Sequence, residues 1–402
     1  MEQKPQSNHS PSNETGSFLG KWEWAAFWVA TLVAFGVYYY SLAPSVTMED
    51  SGELATAGDH LGIPHPPGYP LWTIIAWLFA KALWFVEFRG QPDPAWCMGL
   101  ASAVFGALAS GITAMLICRS GKDMLSTGTY GNPGKATGIN NLIAFAGGVA
   151  ASLMFAFCPV MWSQSNIVEV YSLNAFFVAI ILLLAYAWLR RPSDKLLFAI
   201  SLAFGLGMGD WWPTVLLTLG PLAILVLLRD IKLFRSFCMV GAVIVGMIFL
   251  NTFLGALNDK SNPTGESLYP WAGTLLWLNG PYSVAFWAYF AVNCAAIFIC
   301  WHFMPRGRTV AICFILVELG LLIYLYMPLA SDLRNPPMNW GYPRTWEGFI
   351  HAVSRGQYEK LSPTDVFTPK FVDQLGWYLA SLRGQFTLPL CLTGFLTFIG
   401  GA

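Results

Sequence analysis

The sequence predicts an all-α polytopic integral membrane protein, and three observations lead there. Of 402 residues, 55% are hydrophobic and only 11% charged. Apolar runs near twenty residues recur, and about twenty residues span a ~30 Å hydrocarbon core as helix. Runs such as AIILLLAYAWL are apolar on every face, whereas a soluble helix keeps a polar stripe. Lys+Arg and Asp+Glu balance at 22 each, so net charge gives no hint of a nucleic-acid partner. The eight cysteines show no CxxC or zinc spacing and read as small buried hydrophobes.

Residues 1–20 form a polar, Pro/Ser/Asn-rich tail, expected to be disordered and cytoplasmic. Its two N-x-[ST] matches, Asn8 and Asn13, matter only outside the cytoplasm. Residues 21–402 form the transmembrane domain. About ten spans are expected, at 24–43, 96–118, 141–162, 172–189, 196–212, 213–228, 236–256, 283–304, 309–330 and 386–402. The last apolar segment has no soluble part after it, the expectation for a truncated portion of something longer.

An eleventh apolar stretch, 70–88, is expected not to cross. If the N-terminus is cytoplasmic and 70–88 stays on one side, the loops at 119–140, 190–195, 229–235 and 305–308 are all inside. They carry eleven basic residues, and the loops at 163–171 and 257–282 carry only Lys260. A crossing would invert this positive-inside pattern. Lys81 near the middle opposes spanning by about 2.5–3.5 kcal/mol. Lys81, Glu87 and the aromatic residues there suit a helix lying in the membrane interface. The first outer loop then runs over 44–95, and 331–380 is the other long outer segment.

In the first loop, MEDSGELATAGDH gathers Glu49, Asp50, Glu53, Asp59 and His60 within thirteen residues. Asp50-Ser-Gly-Glu53 fits a capping box, with Asp50 at N-cap and Glu53 at N3 of a short helix. A cap does not exclude function, because it fixes a carboxylate at a cavity mouth. Glu49 and Asp50 are neighbours on an extended segment and should point to opposite sides. GIPHPPGYP is stiff, because proline fixes φ and restricts the residue before it, so His65 is held rigidly. In WSQSNIVEVYSLN, Trp162 and Tyr171 suit an interfacial belt, and Asn166 to Glu169 fits a second capping box. GMGDWWPT places Asp210 at an outer helix junction broken by Pro213. The last loop interleaves Arg334, Arg344, Arg355, Lys360 and Lys370 with Trp340, Tyr342, Trp346 and Tyr358. Cations among aromatics beside a membrane suit a lipid phosphate, which arginine binds bidentately.

Outer-face carboxylates, a rigid His–Pro loop and an arginine cluster together suit group transfer from a lipid-phosphate donor. A carboxylate serves as general base on an acceptor hydroxyl. Glu49, Asp50 and Glu53 compete for that role, and the resemblance described next favours Asp50 as the base, with Glu53 its catalytic companion. Glu49, His65, Glu169, Asp210, Arg334, Asn335, Asn339, Trp340, Arg355, Gln357 and Tyr358 are the expected substrate-binding set. No motif requires a metal, and a divalent cation is left open.

These motifs carry a resemblance. LAPSVTMEDSGEL…LGIPHPPGYPLW, WSQSNIVEVYSLNAFF and NPPMNWGYPRTWEGFIHAVSRGQYE resemble bacterial relatives of the vertebrate protein O-mannosyltransferase that modifies plexins and the hepatocyte growth factor receptor. The likeness runs over most of residues 30–360. It implies a GT-C type membrane glycosyltransferase, with a polyprenyl-phosphate sugar donor (mannose or another hexose), a protein or glycan acceptor and interfacial helices in the first outer loop. In a bacterium the inner membrane would house it. By position the resemblance matches Asp50 to the loop carboxylate, Glu53 to its companion, His65 to the HPP histidine and Glu169 to the second-loop glutamate. Two departures stand out. The family often has a His where this chain has Trp211 or Trp212, and relatives run longer, with further helices and a soluble carboxyl-terminal region.

Two other functions fit the same charges. A transporter or flippase of polyprenyl-linked lipids would use the outer arginines but needs alternating access, often built from repeats with broken helices near the midplane; no repeat is visible. A non-catalytic scaffold would tolerate Asp50→Asn, and a transferase would not.

Overall fold

The computed structural model describes residues 17–127, 138–262, 265–276, 279–358, 364–387 and 390–392. Helices dominate. The sole sheet among the described residues is a hairpin of β1 (Glu87–Phe88) and β2 (Gln91–Pro92). α1 (Lys21–Tyr40), α4 (Pro94–Thr127) and α5 (Gly138–Ala156) pack through alanines such as Ala26, Ala30 and Ala114, so their backbones approach closely. α7 (Tyr171–Arg190), α8 (Asp194–Leu217) and α13 (Gly307–Leu321) build the second core with α9 (Leu219–Arg229), α10 (Ile231–Asn258) and α12 (Val284–Phe303). α8 and α13 touch so tightly that a Cβ on Gly205 would lie 2.4 Å from the Val317 carbonyl oxygen.

Among the described residues, seven helices are long and apolar enough to cross a membrane: α4, α5, α7, α8, α10, α12 and the segment Gly307–Leu333. The last comprises α13, a 3-10 turn (Leu322–Leu325) and α14 (Tyr326–Leu333). The remaining three expected spans account for the difference from ten. α1 has the length, but its Trp, Tyr and charged residues dilute its hydropathy. α9 has only eleven residues. The 386–402 segment lies mostly outside the described residues, as do residues 1–16 of the tail with Asn8 and Asn13.

The basic loops gather on one face. Lys122 near the end of α4 pairs with Glu23 in the first turn of α1 at 2.8 Å. Asp123 bridges Arg119 and Arg190 at 3.0 and 3.1 Å. Arg306 pairs with both Asp194 and Asp230, the latter at 3.2 Å. Asp194 opens α8 and Asp230 follows α9, so the chain goes up through α8 and returns through α9 to the same face.

The 70–88 stretch is a helix only over α3 (Pro70–Ala82), thirteen residues or about 20 Å at 1.5 Å per residue. That is too short to span. Lys81 on it binds Asp59 at 2.9 Å. Beyond Ala82 the chain leaves the helix for the hairpin, so the helix ends earlier than expected. Its inner face buries Trp72, Ala76 and Ala80 in one core cluster with Tyr69, Met98 and Val170.

Three local expectations are corrected. α2 (Ser51–His60) starts after Asp50, but neither Asp50 nor Glu53 closes a capping box, because the Glu53 carboxylate is taken by His65. No capping box forms at Asn166–Glu169 either, since Glu169 Oε2 accepts from the N–H of Val170. The break expected at Pro213 falls at Trp211 (φ −119°, ψ 86°), and α8 resumes through Leu217. There the Met208 carbonyl accepts from the Tyr324 hydroxyl at 2.8 Å, and the Trp211 carbonyl from Asn174 Nδ2 at 3.0 Å. Of the cysteines, Cys238 and Cys294 are exposed on α10 and α12 rather than buried.

Candidate active site

The site forms at the end of the bundle opposite the basic face, where two distant loops pair. Ile63 N–H donates to the Met338 carbonyl at 2.8 Å, and Trp340 N–H donates to the Ile63 carbonyl at 2.9 Å. The Tyr326 hydroxyl holds the Gly62 carbonyl at 2.9 Å. This strap draws the His–Pro segment against the last loop, whose short helix α15 (Trp346–Val353) leads to Arg355 and Tyr358.

His65 is the hub. Its main-chain N–H and its Nδ1 both meet Glu53 Oε1, the latter at 3.1 Å. Nε2 lies 2.8 Å from the Tyr69 hydroxyl and 3.8 Å from Asp50 Oδ2. Burial alone would lower the His65 pKa, but the hydrogen bond to Glu53 and the charges of Glu53, Asp50 and Glu169 raise it. Burial alone would raise the Glu53 pKa, but its bonds to His65 hold it lowered. The two side chains thus shift each other in opposite senses, the imidazole upward and the carboxyl downward, and burial pushes the neighbouring Tyr69 hydroxyl up. Asp50 remains 57% exposed at the mouth.

Glu169 is buried, and its carbonyl accepts from Trp72 Nε1 and Ser102 Oγ, both at 3.1 Å. Burial raises its pKa to about 7, with further raising from the charges of Asp50 and Glu49. Both loop carboxylates therefore act on Glu169. The extended segment assumed for Glu49 and Asp50 is not formed, because the chain bends at 48 and turns at 49–50, with Glu49 at φ 64°.

Above the hub, Arg355 lies 4.8 Å from the Trp211 ring and 4.5 Å from the Tyr358 ring. Trp211 stacks on Tyr69 at 6.0 Å, and Tyr358 meets His65 at 6.4 Å. Arg355 is thereby linked to His65 through aromatic rings. Asp210, just before the break, is wholly buried with neither oxygen hydrogen-bonded among the described residues.

Six predicted residues thus converge on one site: Asp50, Glu53, His65, Glu169, Arg355 and Tyr358. Asp210 adjoins it through Trp211. Others do not join them. Asn335, Asn339 and Trp340 line a separate cleft of about 390 Å³ with Pro336, Met338 and Tyr342. Arg334 caps the end of α14, beside that cleft in sequence. Gln357 is exposed. Arg344 stacks on Tyr342 at 5.2 Å, and Lys360 lies outside the described residues. Sequence reasoning missed Tyr69 and Trp211. Tyr69 follows His65 by four residues in the proline-stiffened segment, which is the one available signal.

Asp50, Glu53 and His65 also place three ligand atoms within 4.8 Å of one another. A divalent cation there needs His65 neutral, because metal ligation displaces the imidazole proton. Glu53 and His65 are bonded to each other, whereas the Asp50 carboxylate makes only the 3.8 Å approach to His65.

Fold and site together define an all-α, multi-pass membrane protein with a carboxylate–histidine centre at one end of its bundle. Residues 50–234 match the family described as the protein O-mannosyl-transferase TMEM260 N-terminal domain. The chain is 30% identical over 161 residues to the mouse protein O-mannosyl-transferase TMEM260, covering 40% of this chain and 19% of that protein. Against the Dictyostelium discoideum protein of the same name it is 27% identical over 155 residues, covering 39% of this chain and 16% of that protein. The matched region is less than a fifth of either relative's own length. No solved structure matches. The family match holds the Asp50, His65 and Glu169 motifs but not the NPPMNWG stretch, so it is narrower than the resemblance over 30–360.

Proposed function

We propose that the chain is a GT-C type glycosyltransferase that moves a hexose, mannose on the family's pattern, from a polyprenyl-phosphate donor to a Ser/Thr hydroxyl of a protein on the extracytoplasmic face. The observation that carries this is Asp50. It is an exposed carboxylate 3.8 Å from His65, at the end of the bundle opposite the basic face. A base must be ionised and reachable. Glu53, by contrast, is committed to His65 and serves to orient it.

In the reaction, Asp50 takes the proton of the acceptor hydroxyl as its oxygen bonds to the anomeric carbon. The bond from that carbon to the phosphate oxygen breaks, and the polyprenyl phosphate leaves with the electron pair. Arg355, fixed between two rings, meets the charge that builds on the phosphate. His65, held by Glu53 through its main-chain N–H and Nδ1, fixes the side of the site next to Asp50. Glu169, with its raised pKa, sheds its own charge near neutrality and relieves repulsion on Asp50.

The test uses the purified full chain, polyprenyl-phosphate mannose and a threonine peptide, with mass spectrometry of the peptide. Transfer by the wild type that is lost in Asp50→Asn supports the proposal. Transfer that survives in Asp50→Asn refutes the assigned base, and lipid movement across vesicles without transfer would favour the flippase.

A further inference from the structure

A second cleft lies behind the proposed reaction centre, on the other face of α2. Gly52, Ala55, Thr56 and Asp59 follow helical spacing and share one face. They line a cavity of about 400 Å³ closed by Phe88 and Gln91 of the hairpin and by Asp93. Asp93 is 5% exposed. Its Oδ1 accepts from the Trp96 N–H at 3.0 Å and from Ser45 Oγ at 3.3 Å, so it caps α4. Its Oδ2 is buried with no hydrogen-bond partner among the described residues. A buried carboxylate oxygen without a donor is costly and calls for one.

Two cations border the cleft, each engaged with a lining residue. Lys81 binds Asp59 at 2.9 Å, and Arg89 stacks on Phe88 at 5.2 Å. Neither is bonded to Asp93, whose Oδ2 is left without a donor among the described residues, beside Phe88 and Pro92. Gly52 lines this cleft and is two residues from Asp50, so no more than about 7 Å of chain separates them. At Gly52 the helix carries no side chain, and a Cβ there would meet only the Val46 side chain, at 3.5 Å.

We infer that this cleft is the acceptor site. It takes a Ser/Thr-bearing polypeptide segment with a lysine or arginine beside the hydroxyl residue. The cation sits on Asp93, the chain lies against Phe88 and Pro92, and the hydroxyl passes Gly52 to reach Asp50. Donor and acceptor then occupy opposite faces of α2. This rests on the transfer activity proposed above.

The test measures binding of two fluorescein-labelled peptides, Ala-Lys-Thr-Lys-Ala and Ala-Glu-Thr-Glu-Ala, to the detergent-solubilised full chain by anisotropy. Donor hydrolysis is followed separately. The lysine peptide should bind at least tenfold more tightly than the glutamate peptide. Gln91→Trp fills the cleft, and Asp93→Asn removes its charge while keeping an oxygen for the Trp96 N–H. Each should weaken lysine-peptide binding at least tenfold, and Gln91→Trp should leave donor hydrolysis at the wild-type rate. Equal affinity for the two peptides, or lysine-peptide binding untouched by both variants, overturns the acceptor site and leaves the transfer proposal standing. Cleft-dependent peptide binding without any donor turnover overturns the transfer proposal, and with it the placement of the hydroxyl at Asp50.

Discussion

Replacing Glu53 by Gln tests whether the centre is an ion pair. Glu53 Oε1 receives two donors from His65, and the side chains are only 19% and 11% exposed. The amide keeps an oxygen for the main-chain N–H but loses the charge that holds the imidazolium. A hydrogen bond to a charged group contributes about 1.5–3 kcal/mol, and the residual exposure places this one near ~2 kcal/mol. For a chain of this size that is a fall of about 2–4 °C in melting temperature. The pH dependence gives the sharper signature. The folded Glu53 pKa is lowered from 4.5, so its share of stability is present above that value and lost as pH falls through the folded pKa. The folded His65 pKa is raised from 6.5, so its share is full below 6.5 and lost as pH rises through the folded pKa. The gap between wild type and Glu53→Gln should therefore be widest between 4.5 and 6.5 and shrink on both sides. Thermal unfolding in detergent across pH, with His65→Gln and the double variant completing a cycle, measures it. A gap that is flat with pH, or a coupling below about 0.5 kcal/mol, refutes the ion pair.

Asp50→Asn should cut transfer at least ~10²-fold with donor binding retained, whereas Glu49→Gln stays mild; turnover assays that rank them the other way assign the base to Glu49. Arg355→Ala should weaken donor binding at least about tenfold, and Arg355→Lys should recover only part, because lysine lacks the planar fork that stacks between rings. Arg334→Ala should weaken it less, and an equal loss in titrations of both would place Arg334 in the donor site. In a cysteine-free background, Gly52→Cys and Pro92→Cys should be labelled from one side and Lys122→Cys from the other, and labels reaching positions 52 and 92 from opposite sides would mean that α3 crosses. Gly205→Leu should prevent folding or lower the melting temperature strongly, since even a Cβ there would lie 2.4 Å from a backbone oxygen of α13.

The helices were legible because hydropathy acts residue by residue, and Lys81 marked 70–88 as non-spanning before Asp59 was known to be its partner. Asp50, Glu53 and His65 were legible because charge is rare in this chain and proline stiffness is local. What could not be read was the partner of each group. The capping-box pattern at Asp50–Glu53 is satisfied locally in sequence, but His65 offers Glu53 two donors and wins. The strap from Ile63 to Met338 and Trp340 joins residues some 275 positions apart by backbone bonds that carry no side-chain signature. It decides that Arg355 and not Arg334 reaches the aromatic cluster. Trp211 looked like a departure from a family pattern, whereas in the fold it joins Tyr69 to Arg355.

The break in α8 ties three distant positions into one unit of inheritance. Its freed carbonyls at Met208 and Trp211 are held by Tyr324 and Asn174, from two other helical segments. Straightening the helix would return those carbonyls to amides within α8 and strand a hydroxyl and a carboxamide among apolar neighbours. Losing either side chain with the break in place would strand a carbonyl instead. Neither change is tolerable alone at this depth. Drift here must be concerted, and a relative with an unbroken α8 should carry apolar residues at both partner positions together.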